Sequence, residues 1–234
     1  MNVAPWTKSE VRRLIVAAID PVVSAAGFRF KKASEAFVRK IKGGRQELAL
    51  PLVDYNPIFR FSLVLCVRLD AVEELTNKFS GSPSKYHSMT LTSMTQLEYF
   101  GPATDSQHGA WFELASETDL LKIMPDVLDL LRDRVLPFFE EYCSIEALNR
   151  GFNPVGTEHL IRADRDRRTF DASNLPYRAM AGIAVAYLAK DPRLAMLING
   201  YRNQVTGLND MDRTKFEELV GHLSLESTRG AGAD

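Results

Sequence analysis

Two cysteines, Cys66 and Cys143, are all that the chain carries in 234 residues. That is too few for a disulfide framework, and each sits among apolar neighbours, where a free thiol behaves as a small hydrophobe. A reducing, cytoplasmic setting is expected. One-sided charge is missing too: 29 Lys and Arg stand against 30 Asp and Glu, so no global field draws the chain to nucleic acid or to an anionic membrane. No apolar run approaches the ~18 residues of a membrane span. Arg12-Arg13 ahead of residues 14–19 has the outward form of a secretory leader. The apolar run is only about six residues against the usual ~7–15, however, and Asp20 and Pro21 interrupt it.

The motifs of the common chemistries are absent as well. The sequence holds no P-loop, GxGxxG, GxSxG, HExxH, CxxC or EF-hand pattern. His87, His108, His159 and His222 are 21, 51 and 63 residues apart, so no pair of ligands falls at helical spacing. His87, His108 and Asp105 could meet on one loop face as a metal or acid/base site, set against the plainer reading of solvated loop histidines. Neighbouring carboxylates such as Glu73-Glu74, Glu140-Glu141 and Glu217-Glu218 point about 100° apart on a helix and read as solvated faces. Neither a metal nor a cofactor is expected.

What the chain does have is the composition of a globular protein: 45% hydrophobic and 25% charged, enough to build a large core. Thr7-Lys8-Ser9-Glu10 has the form of a capping box ahead of an apolar face through Val11, Leu14, Ile15, Ala18 and Val22, predicting a helix over 8–26 with a bend at Pro21 and an end at Gly27. Alternating strands follow over 28–31, 37–42 and 47–55, then one long strand from 58 to 69, turning at Gly43-Gly44 and Asn56-Pro57. Pro51 implies an edge or a bulge. A short helix over 71–79, a Ser- and Gly-rich loop, a strand over 89–100 and a last one over 111–114 complete the sheet, and helices dominate from Ser116 on.

The predicted fold is α+β: an antiparallel sheet of five or six strands with helices mainly on one face, extended by a C-terminal helical pair or three-helix unit. By composition, 1–150 form an α+β domain and 151–173 a charged connection. Residues 174–226 form the helical extension, with helices over 176–190, 192–206 and 212–223, and 227–234 an unanchored, disordered tail.

The order Gly27-Phe-Arg-Phe-Lys-Lys32, Phe37-Val38-Arg39, Phe59-Arg-Phe-Ser-Leu-Val64, Trp111, Leu136-Pro-Phe-Phe-Glu140 and Ile145-Glu-Ala-Leu148 resembles a bacterial family of α+β domains of unknown function, over about residues 8–150. The resemblance implies the fold and a regulatory role; it implies no catalytic residue, because the matching positions are core and turn residues.

Function is therefore read as binding or regulation through another protein, without a membrane or a nucleic acid as partner. The candidate binding residues are Arg60 and Arg68, on the outer face of the long strand, and Tyr86 and His87, in the loop beside the sheet. Two other readings stay open. One is an enzyme using the loop His and Asp groups; the other is a nucleic-acid binder using the cluster from Arg162 to Arg168, in which Asp164 and Asp166 cancel much of the field.

Overall fold

The computed structural model describes residues 6–55, 57–96, 111–154 and 175–230. Its elements run α1 (Lys8–Ala25), β1 (Arg29–Lys31), β2 (Ala36–Ile41), β3 (Gly44–Ala49), β4 (Leu52–Asp54), β5 (Phe59–Phe61), β6 (Val64–Leu69) and α2 (Asp70–Thr76). A 3₁₀ turn (Ser84–Met89), β7 (Ser93–Gln96), β8 (Phe112–Leu114) and α3 (Glu117–Leu130) follow. A π turn (Leu131–Val135), α4 (Leu136–Glu141), α5 (Ile145–Phe152), α6 (Leu175–Leu188), α7 (Leu194–Val205) and α8 (Asp210–Gly230) complete the chain. The fold is α+β, as the sequence predicts.

The long hairpin of the sequence is split. Among the described residues, one antiparallel sheet has the order β1-β2-β3-β6-β7 and a second has the order β4-β5-β8. Both arms of the hairpin break at facing positions. Pro51 has no N–H to give to a ladder, so β3 ends at Ala49; opposite it, the Ser62 amide donates to the Pro51 carbonyl at 3.1 Å and the second arm divides into β5 and β6. The single strand over 58–69 is thus two strands in two sheets.

The chain forms two compact units, 1–67 with 95–141 and 68–94 with 142–234, and the chain passes from one to the other within β6, within β7 and after α4. Residues 68–94 and 142–150, grouped by composition with the first domain, belong by contact with the C-terminal helices.

In the first unit the capping box of α1 is formed, with Thr7 and Glu10 each satisfying the other's backbone donor. Val11, Ile15, Ile19 and Val23, each four residues from the next, are its buried face. That face packs on β1, β4 and α3. Phe28 and Phe139 meet with ring centroids 5.1 Å apart, and the Arg39 guanidinium lies 4.8 Å over the Phe28 ring. The π turn has a local cause: Pro137 cannot donate four residues back, and the widened turn lets the Leu136 N–H reach the Leu131 carbonyl instead.

In the second unit α6 is the central helix, touching α2, α5, α7 and α8. Ala179, Ala181, Ala184 and Ala186 are buried on several sides of it, as expected of a helix enclosed by its neighbours. A buried polar network ties α5 and α7 around it. Asn153 donates to Asn149 Oδ1 (2.7 Å) and to the Gly182 carbonyl (2.8 Å), Asn149 donates to Asp191 (2.7 Å), and the Tyr201 hydroxyl donates to Asn153 Oδ1 (3.0 Å). Arg193 closes it, donating from Nη2 to Asp191 Oδ2 (2.7 Å) and to the Asn153 carbonyl (3.0 Å). The Arg193 hydrogen bonds hold the Asp191 carboxyl well below the usual carboxylate range. Burial raises the Tyr201 hydroxyl.

α8 runs through Gly230, so residues 227–230 of the expected tail are helical. His222 lies within α8 rather than at a helix end, with its ring 5.3 Å from Phe79. No helix among the described residues is long and apolar enough to cross a membrane.

Candidate functional site

In the second unit, the segment between α2 and β7 folds back and is pinned by one side chain. Arg68, at the end of β6, donates from Nη1 to the His87 carbonyl (2.8 Å), the Thr90 carbonyl (2.7 Å) and Thr90 Oγ1 (2.9 Å). Its Nε pairs with Asp70 at 2.7 Å. The Asn77 amide reaches Thr90 Oγ1 from the other side (2.9 Å), and the Thr90 hydroxyl donates to the His87 carbonyl (2.9 Å). A short loop rich in Ser and Gly is thereby ordered around a buried guanidinium, with several charge-assisted bonds.

This pinning opens a cleft of about 320 Å³. Its polar wall is Glu73, Thr76, Asn77, Ser80, Thr90 and Thr92; its apolar wall is Leu91, Met94, Ala181 and the ring of Tyr177. The Tyr177 hydroxyl approaches the Ser80 carbonyl at 3.5 Å. Glu73 is the one carboxylate among the described lining residues, and it is 4% exposed. Thr92 holds one of its oxygens, Oε1, at 2.8 Å, and Thr92 Oγ1 itself accepts the Leu69 amide at 3.0 Å. Among the described residues no group donates to Glu73 Oε2.

The hydroxyl protons of the cleft are all spoken for. Thr76 donates to the Val72 carbonyl (3.0 Å), Thr90 to His87, Thr92 to Glu73, and Ser80 to the Asn77 carbonyl (3.4 Å). Among its described side chains the wall thus presents mainly acceptors, the second N–H of the Asn77 amide apart. Thr92 beside Glu73 has the outline of a nucleophile and a base, but its hydroxyl is 2% exposed as a residue and its oxygen is engaged by the Leu69 N–H. It is a structural link between β6 and α2.

The four candidate binding residues separate. Arg60, in β5, pairs with Glu113 directly across the β5–β8 ladder and lies 5.2 Å from the Tyr55 ring centre. This is a cross-strand ion pair on a solvated surface. Arg68 is buried and committed to the loop, so the outer face on which it was placed is covered at Cys66 and Arg68 alike. Burial pushes the Cys66 thiol up to about 12, leaving it inert. Tyr86 is 48% exposed, with Lys85 Nζ 4.8 Å over its ring, and His87 is tied through Nε2 to the Ser82 carbonyl at 2.7 Å. Arg68, Tyr86 and His87 therefore come together in one loop structure, and Tyr86 is the one that faces solvent.

Asp105, His108 and the arginines from Arg162 to Arg168 lie outside the described residues. Among the described residues no group of three His, Cys, Asp or Glu side chains is placed to hold a metal ion. Glu73, read from the sequence as half of a solvated acidic pair, is buried while Glu74 is exposed. Its partner Thr92 is 19 residues away, and no local pattern announces the pairing. No family model, curated protein or solved structure matches the chain, so the resemblance over residues 8–150 is carried no further.

Proposed function

We propose that the protein is a non-catalytic binding or regulatory protein that acts through contact with another protein, and that the contact is made at the cleft of the second unit and the loop beside it. The reading rests on one observation: an ordered loop carries exposed Tyr86 and Met89, 48% and 67% exposed, next to a small cleft with a buried carboxylate at its foot. Tyrosine supplies contact area at low ordering cost, methionine adapts its flexible thioether to a partner, and both are enriched at recognition surfaces. Among the described residues of the lining no hydroxyl is activated. A reducing, cytoplasmic compartment fits the reading, since neither Cys66 nor Cys143 is in a disulfide.

The test is affinity capture from native lysate with the wild-type chain and with a Tyr86→Ser/Met89→Ser variant. Surface changes of this kind leave folding stability within about 0.5 kcal/mol. A stoichiometric protein partner retained by the wild type and lost by the variant is the expected result. Failure of the wild type to hold a partner, or equal retention by both, ends the proposal.

A further inference from the structure

We infer that the cleft takes a primary ammonium on an apolar stem, namely a lysine side chain of the protein partner, seated on Glu73; this deepens the binding reading and rests on it. Charge comes first. Of the described residues lining the cleft none is cationic and one, Glu73, is a buried carboxylate, which disfavours phosphates and carboxylates and favours a cation that would replace lost hydration.

The hydrogen-bonding groups select further. With the described hydroxyl protons committed to Val72, His87, Glu73 and Asn77, whose carbonyl and Oδ1 share the Ser80 hydroxyl at 3.4 Å each, the side-chain acceptors left to a ligand are Glu73 Oε2 and the Thr76 oxygen. An ammonium offers three donors and no acceptor. A guanidinium fork is matched to two free oxygens of one carboxylate, and here Thr92 already occupies Oε1 at 2.8 Å. The compact ammonium is the better fit.

Size and the apolar wall complete the argument. A volume of about 320 Å³ is at the small end of ligand sites, which span roughly 300–1,000 Å³. It suits a single long side chain, with Leu91, Met94 and Ala181 along the methylene stem while the charged head reaches the carboxylate.

The experiment is a chemical-shift titration of the full ¹⁵N-labelled chain with capped Gly-Ser-X-Ser-Gly peptides in which X is lysine, norleucine or arginine, and with n-butylammonium. The lysine peptide is expected to give saturable shifts at the amides of Asn77, Ser80, Thr92 and Met94, with a Kd in roughly the millimolar range for one anchoring contact. Norleucine and arginine are expected to bind at least about tenfold more weakly, and Glu73→Gln to weaken the lysine peptide by a similar factor. Gln retains an oxygen for Thr92, and a melting curve checks that the variant folds; if it does not, lysine against norleucine on the wild type decides alone. Lysine and norleucine within threefold of one another, or shifts confined to residues away from the cleft, overturn the inference. Butylammonium binding more tightly than the lysine peptide assigns the cleft to free amines and overturns the commitment to a partner's lysine. Should lysine preference be absent while capture still depends on Tyr86 and Met89, this inference falls and the partner reading stands; the opposite pair of results removes the partner reading.

Discussion

Gly182 occupies a place that no side chain can share. A Cβ there would come within 2.2 Å of the Tyr201 hydroxyl and 2.5 Å of its ring carbon, and Tyr201 is fully buried with its hydroxyl fixed to Asn153. The Ala-rich sequence of α6 predicts close approach of a neighbouring helix, and the structure identifies where the approach is tightest. Gly182→Ala is expected to cost about 3 kcal/mol, the upper part of the range for overpacking a core. The helix preference of Ala over Gly, about 1 kcal/mol, offsets only part of the clash. Urea unfolding followed by circular dichroism gives the value; a variant as stable as the wild type would mean that α6 and α7 are not packed this closely.

At the scale of the element, the turn that begins α7 is held by Asp191, which accepts from the Arg193 amide (2.8 Å), the Arg193 guanidinium and Asn149. Because its folded pKa is lowered, its contribution is fully present above its ordinary value of 3.8 and is lost as pH falls below that value toward the lowered one. Asp191→Ala should cost about 2 kcal/mol at neutral pH, less than a fully buried pair because Arg193 stays partly exposed. The decline in urea midpoint below pH 4 should be shallower in the variant than in the wild type. Parallel pH profiles would remove Asp191 as a source of the acid sensitivity.

Elements whose cause is local were legible in the sequence: the capping box of α1 and the start of its apolar face at Val11 and Ile15, though Ile19 and Val23 rather than Ala18 and Val22 continue that face, and the turn at Gly43 (φ +71°), which pairs with Lys42 rather than Gly44 because Gly44 already faces Ile41 in the ladder. The split of the hairpin was not. Pro51 signalled a fault in one arm, but its effect on the opposite arm follows from pairing with Ser62, eleven residues on. The candidate cleft was legible only as a loop worth attention. Its central carboxylate pairs with Thr92, 19 residues on, and shares the cleft with Tyr177 and Ala181 of α6, and pairing at that separation leaves no mark in local periodicity.

For the whole molecule, the decisive fact is that the second unit is discontinuous along the chain. α2 and the loop that forms the cleft belong with helices that come after residue 141. Burial of Val72 and Leu75 on α2 is worth about 3–6 kcal/mol for the two side chains, and α6 is a principal neighbour of α2. A fragment ending at residue 150, the first domain suggested by composition, should therefore leave α2 without α6, bind a hydrophobic dye and fail to show a cooperative transition over residues 68–94 in hydrogen exchange. Native-like protection of 68–94 in that fragment would refute the grouping.

The same discontinuity sets a timetable during synthesis. Eighty residues, 95–174, lie between the cleft's last strand residue Met94 and the start of α6, and at about 5–20 residues per second a ribosome needs roughly 4–16 s to traverse them. Throughout that interval the nascent α2 carries an apolar stripe that α6 has yet to cover, a natural stopover for a holding chaperone, and the pocket cannot exist before Tyr177 and Ala181 of α6 have left the ribosome.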